Sequence, residues 1–171
     1  MNTVKELFGR INSSLHGTVV VMRGLPGSGK SLLAWKLARL FKDSGVVSAD
    51  DAFITKEGVY QFDPKELQRA HQACFYNFLL GVQKDKYFLN VVDNTNIRTL
   101  EASPYMLAGS SHDYQTILVT IDCPVVVALS RNTHQVPETV IRQMDVTKKL
   151  QDLEIPPWWS SMTLAYDSFE K

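Results

Sequence analysis

Val19-Val20-Val21-Met22-Arg23-Gly24-Leu25-Pro26-Gly27-Ser28-Gly29-Lys30-Ser31 decides the fold. Its first part is a β-branched apolar run bounded by glycines, the pattern of a strand buried on both faces. Gly24–Ser31 then fits G-x-x-x-x-G-K-[ST] in full. After it Leu32, Leu33, Trp35 or Lys36, Leu37, Leu40 and Phe41 recur at amphipathic-helix spacing as far as Lys42. Glycines let successive backbone N–H groups turn inward at a helix N-terminus, whose dipole favours anions, so the loop suits phosphate. The motif makes Gly24, Gly27, Ser28, Gly29, Lys30, Ser31 and Leu32 the cradle of a nucleoside triphosphate, with ATP and Mg²⁺ as the expected cofactors. Lys30 reaches the β- and γ-phosphates, and the Ser31 hydroxyl joins the metal shell. The motif is silent about the acceptor.

Working outward, strand and helix patterns alternate along the chain. Val46–Ser48 is a short strand. Asp63-Pro64-Lys65-Glu66 is a helix start, with Asp63 as N-cap and Glu66 closing a capping box, and the helix runs to about Lys84. Its apolar stripe includes His71, which reads as a core histidine. Tyr87–Val92 and Tyr114–Ile121 are further strands, and helices open at Ser103-Pro104, at Pro124 and at Pro137. Alternation of this kind predicts an α/β fold: a three-layer α/β/α sandwich around a parallel sheet. Residues 1–171 form one domain, extended by a helix over 2–15 and an aromatic tail over 155–171. Trp158 and Trp159 follow Pro156-Pro157, so the tail is expected as an extended segment laid on its own domain, away from the phosphates, or as a dimer contact.

In such a sheet the carboxyl ends of the strands face the ligand crevice, so acids at those ends carry the chemistry. Asp50-Asp51 follows the second strand. One carboxylate of the pair suits the crevice, where it can take a proton from an attacking hydroxyl, and the other suits a cap. Asp93 ends a buried strand and fits the position that orders Mg²⁺, directly or through water. The neighbouring Asn94-Thr95-Asn96 either bonds an acceptor or forms a turn. Arg131, at the end of a short helix, either neutralises charge on a transferred phosphoryl group or stacks on adenine. His134 is the weaker candidate of that loop.

Charge balances at 18 basic and 18 acidic residues, but residues 1–49 hold seven Lys/Arg against two acids. That asymmetry suits a polyanionic ligand held locally rather than wholesale nucleic-acid wrapping. Cys74 and Cys123 fit no metal or redox spacing and read as reduced buried thiols. No apolar run approaches a membrane span and no secretory segment opens the chain, so a cytoplasmic protein, monomer or homodimer, without a membrane partner is expected.

Taken in order, Arg-Gly-Leu-Pro-Gly-Ser-Gly-Lys-Ser, Ser-Ala-Asp-Asp, Phe-Asp-Pro…Ala-His, Val-Asp-Asn-Thr-Asn and Arg-Asn…Val-Pro resemble the polynucleotide-kinase-like P-loop kinase family over residues 18–150. The kinase domain of bacteriophage polynucleotide kinase-phosphatase is among those it resembles. The resemblance implies a kinase-type strand order, 2-3-1-4 with room for an edge strand. It also implies an ATP-dependent kinase of 5′-hydroxyl nucleic acid ends. Asp50 matches the family's general base, Lys30 and Ser31 the phosphate lysine and metal serine, Asp93 the acid after the third strand, and Arg131 a lid arginine. Phe53 stands where the phage enzyme has an arginine, and the lid lacks a second basic residue. Those departures keep open a kinase of a small nucleoside or hydroxylated metabolite, and beside it a nucleotide-binding module without chemistry.

Overall fold

The strand quoted above, β1 (Thr18–Arg23), is buried along its whole length and lies at the centre of a five-stranded sheet. A computed structural model describes residues 2–84 and 86–169; Met1, Glu170 and Lys171, at the ends of the expected domain and tail, lie outside the described residues. The strands β2 (Ser44–Val47), β3 (Leu89–Val92), β4 (Gln115–Asp122) and β5 (Ser161–Ala165) join β1 in the order β2-β3-β1-β4-β5, every pair parallel. Val20 is in register with Val91 on one side and Ile117 on the other.

Both faces of β1 are apolar, and successive side chains serve opposite layers. Val20 and Met22 pack with Leu7 and Ile11 of α1 (Val4–Asn12) and with Leu33 and Leu37 of α2 (Lys30–Leu40). Val19 and Val21 pack with Cys74 and Phe78 of α3 (Leu67–Gln83) and with Ala102 and Met106 of α4 (Thr99–Ser111). The helices α5 (Val125–Ser130) and α6 (Glu138–Gln151) complete the α/β/α sandwich. Among the described residues no helix is long and apolar enough to cross a membrane.

Several expectations are corrected. The N-terminal helix covers Val4–Asn12 rather than 2–15; Thr3 and Glu6 form its capping box, and Leu15 lies exposed beyond it. His71 is exposed, because the buried stripe of α3 runs through Ala70, Cys74, Phe78 and Val82, about 100° of helix away. Trp35 and Leu40 of α2 are exposed as well. Pro104 does not open α4 but sits inside it: the Arg98 N–H donates to the Glu101 carboxylate (3.1 Å) at the true start. The missing proline N–H deprives the carbonyl of Leu100, an exposed residue, so the lost bond is cheap.

The largest correction concerns the tail. It is not a loosely laid extension: Ser161–Ala165 is the edge strand β5, with Met162 and Leu164 buried in the α1–α2 layer. Asn2 bonds Thr163 in both directions, its N–H to the Thr163 carbonyl and the Thr163 N–H to its side chain, both 3.1 Å, which blunts the open edge. The two tryptophans part company. Trp159 packs in the α3–α4 layer, whereas Trp158 is 80% exposed.

Arg23, the last residue of β1, is fully buried. Its guanidinium donates to the Ile97 carbonyl (3.1 Å), to the Lys148 carbonyl (3.2 Å) and to the Asp152 carboxylate. It thus ties the loop after β3 and the end of α6 to the strand that feeds the phosphate loop. Arg23→Ala is expected to destabilise by about 3 kcal/mol, leaving a void and two unmet carbonyls. At ~2–4 °C per kcal/mol, calorimetry should find melting lowered by roughly 6–12 °C. Asp152→Asn should cost less, because Asp152 keeps access to water.

Candidate active site

The chain leaves β1 into a loop whose glycines are required by contact. Gly27 has φ +77°, and a Cβ there would lie 2.2 Å from the Ala128 carbonyl oxygen of α5. Gly29, at φ +94°, caps α2, and the first intrahelical bond runs from the Leu33 N–H to its carbonyl (3.1 Å). The N–H groups of Lys30, Ser31 and Leu32 precede that bond, so they are left for a ligand. Leu32 contributes through this backbone group, its side chain being exposed. Gly24 holds the loop against the β3 loop, its N–H donating to the Thr95 carbonyl (2.9 Å). Ser28 is fully buried, and its hydroxyl has no hydrogen-bond partner among the described residues.

Three charged side chains converge above this loop. The Lys30 ammonium is buried and donates to the Leu25 carbonyl (2.7 Å). Burial lowers its pKa, against the opposing charges of Asp93 and Asp50. Burial likewise raises the Asp93 pKa, while the Ser31 hydroxyl and the Lys30 charge hold it down. One Asp93 carboxylate oxygen, Oδ1, is buried with no hydrogen-bond partner among the described residues. An unmet carboxylate oxygen beside a serine hydroxyl is an all-oxygen donor set, which fits a hard divalent cation such as Mg²⁺.

The paired acids divide their work. Asp51 accepts from the Ser48 N–H (3.2 Å) and closes a capping box on the short 3₁₀ turn Ala49–Phe53. Asp50 is left to the crevice, where its Oδ1 accepts from the Tyr60 hydroxyl (2.9 Å). Its loop is stitched to that of Asp93. The Ser48 hydroxyl donates to the Asp93 carbonyl, and the Ala49 N–H to the Asn94 side chain, both at 2.8 Å. Asn96 is buried at φ +42° and its side chain donates to the Met22 carbonyl (2.8 Å). Asn94 and Asn96 therefore hold the strand ends together.

Arg131 caps α5, and its guanidinium lies 5.0 Å over the Tyr166 ring. Asn132 closes the loop that follows, its side chain donating to the Val136 carbonyl (2.7 Å) and accepting from the Val136 N–H (3.3 Å). Beyond β5 the chain comes back to the phosphate loop. Phe169 is buried with its ring edge 3.2 Å from where a Gly29 Cβ would stand, and the Lys36 ammonium donates to its carbonyl. The expectation of a tail away from the phosphates is thus reversed. No motif marks Tyr166 or Phe169; the only hint was the period-two alternation of Met162 and Leu164, which brings the chain back to the sheet.

With this geometry in place, residues 19–152 match the family model AAA_33, described as an AAA domain. The chain belongs to this family. Human NEDD4-binding protein 2 is 37% identical over 99 residues, which is 58% of this chain and 6% of that protein, so the chain spans only a small part of that relative. A chain of the Pnkp1/Rnl/Hen1 RNA repair complex superposes with a TM-score of 0.68 at 16% identity, covering 85% of this chain and 48% of that one. The shikimate kinase of Acinetobacter baumannii, solved with shikimate, superposes at 0.54 and 16% identity over 90% of this chain and 86% of that one. At such identities the likeness shows the fold: this AAA_33 chain has a P-loop kinase fold, as its sheet order had suggested.

Two outcomes are expected from these contacts. Because the native state holds the Asp93 proton more tightly than the unfolded chain, stability falls as pH rises from the ordinary carboxylate range through the raised pKa. Melting followed upward from about pH 4 should therefore fall more steeply for wild type than for Asp93→Asn, starting near the unfolded Asp pKa. Separately, Phe169→Ala should destabilise by about 3 kcal/mol and also weaken ATP binding in calorimetric titration, since the ring buttresses Gly29. Unchanged affinity would return the tail to a merely structural part.

Proposed function

We propose that this domain transfers the γ-phosphate of ATP to a hydroxyl, and that the acceptor is the 5′-hydroxyl end of a polynucleotide. The observation that carries the reading is the division of the acid pair: Asp51 is spent on a cap, while Asp50 faces a crevice whose lysine feels its charge. The phosphate loop N–H groups and Lys30 would hold the triphosphate, and Ser31 with Asp93 would hold Mg²⁺. The metal would supply charge neutralisation between the phosphates.

Asp50 takes the proton of the acceptor hydroxyl as that oxygen bonds to the γ-phosphorus and the phosphoanhydride bond opens, with ADP leaving. Arg131 stands at the lid to meet charge spreading over the transferred group. Resemblance of the five motifs to polynucleotide-kinase-like proteins supports a nucleic acid acceptor, as does the likeness to a chain of an RNA repair complex. A second reading, a kinase of a small hydroxylated metabolite, is favoured by Phe53 where a phosphate-binding arginine stands in the phage enzyme, and by the likeness to shikimate kinase.

The test is transfer of radiolabel from [γ-³²P]ATP to 5′-hydroxyl oligonucleotides, beside a panel of nucleosides and small hydroxylated acceptors. Label on the small acceptors alone would move the assignment to the second reading. Lys30→Ala is expected to abolish turnover with the fold intact. Asp50→Asn should keep ATP affinity and lose ~10²-fold or more in transfer. A larger loss in Asp51→Asn would mean that the wrong acid has been given the proton.

A further inference from the structure

Tyr60 belongs to no motif, yet it touches both the candidate base and the lid. It stands on a small flap between the 3₁₀ turn Ala49–Phe53 and α3. Ile54 and Tyr60 pair as an antiparallel bridge, and the Thr55 N–H donates to the Val59 carbonyl (2.9 Å). Gly58, at φ +79°, makes the turn. The Gln61 N–H returns to the Phe53 carbonyl (2.8 Å), fixing the flap to the turn that carries Asp50. Phe53 is buried beneath, its ring edge-on to Tyr60 (6.1 Å between centroids) and 5.1 Å from Phe62.

From this base Tyr60 reaches in two directions. Its hydroxyl donates to Asp50 Oδ1 at 2.9 Å. Its ring meets the His134 ring at 4.3 Å between centroids, tilted by 60°. His134 lies in the loop that begins at Arg131 and is closed by Asn132. One side chain therefore joins the candidate base to the loop carrying the candidate lid arginine.

We propose that Tyr60 is a positioning residue that fixes the Asp50 carboxylate by one oxygen and, through His134, couples closure of the lid to it. The proposal rests on the function given above for Asp50. A carboxylate free to rotate loses orientation toward the acceptor hydroxyl; one held through Oδ1 keeps Oδ2 for the proton. Burial and the adjacent carboxylate raise the Tyr60 pKa, so the phenol stays protonated and remains the donor. The aromatic contact needs only the ring, so the two functions are separable by substitution.

The test uses the full chain with ATP and a 5′-hydroxyl oligonucleotide. Tyr60→Phe keeps the ring and removes the hydroxyl; it should lower kcat roughly tenfold with the KM for ATP unchanged. Tyr60→Ala should show the same loss and, in addition, a several-fold rise in the KM for ATP. His134→Ala should show that rise without the kcat loss. A purely structural tyrosine would not split the two constants in this way. A readout independent of turnover is the NMR signal of the His134 ring protons, which the Tyr60 ring displaces: the displacement should persist in Tyr60→Phe and vanish in Tyr60→Ala. Wild-type kcat in Tyr60→Phe, or an unmoved His134 signal in Tyr60→Ala, overturns the proposal. Absence of transfer by wild type to any acceptor overturns instead the function assigned to Asp50, and the His134 signal then decides the contact alone.

Discussion

Gly27 touching the Ala128 carbonyl is the constraint around which the site is arranged. A phosphate loop must turn out of a fully buried strand and present N–H groups on its inner side, leaving its outer side to rest on something rigid. Here that support is the last turns of α5, approached so closely that a side chain at position 27 has no room. Since Arg131 immediately follows α5, the same contact sets the distance between the phosphate loop and Arg131. No chemistry at Arg131 could be inherited from a sequence motif without this packing to aim it.

The charges above the loop are arranged at a cost to the stability of the fold. Lys30 and Asp93 are both desolvated, and each partly offsets the penalty of the other. An unmet Asp93 oxygen and an unmet Ser28 hydroxyl add to that cost. Among the described residues, buried side-chain oxygens of Thr18, Thr99 and Gln115 also lack partners, whereas the guanidinium of Arg23 and the amides of Asn94 and Asn96 are met. What distinguishes the Ser28 hydroxyl and the Asp93 oxygen is their place at the phosphate loop, where phosphate oxygens and a cation would satisfy both together.

What the sequence made legible was local. The strand over Val19–Met22, the glycine loop, the Asp63 cap of the turn that leads into α3 and the acids at strand ends all declare themselves within a few residues. Contacts made at long separation did not. Tyr166 under Arg131 and Phe169 against Gly29 depend on β5 bringing the chain back across the sheet, and the adjoining prolines and tryptophans masked its short alternation. Pro104 misled for the opposite reason: a strong local signal was overridden because its lost bond falls on the exposed side of α4. His71 and Trp158 show that an apolar neighbourhood in sequence does not fix which side of a helix or turn is buried.

The loop from Arg131 to Pro137 is where both halves of the site meet. On the donor side, Tyr166 lies under Arg131 and the nearby Phe169 props the phosphate loop. On the acceptor side, the Tyr60 ring rests on His134 while its hydroxyl holds Asp50. The loop is clipped by Asn132 and contacted by one aromatic ring at Arg131 and another at His134. Phosphoryl transfer between two bound groups needs restraint of both, because its catalysis is mainly the alignment of donor, acceptor and compensating charge. Under the proposed function, these ring contacts would take up part of the ordering that arginines at position 53 and in the 131–137 loop supply through phosphate in the phage enzyme.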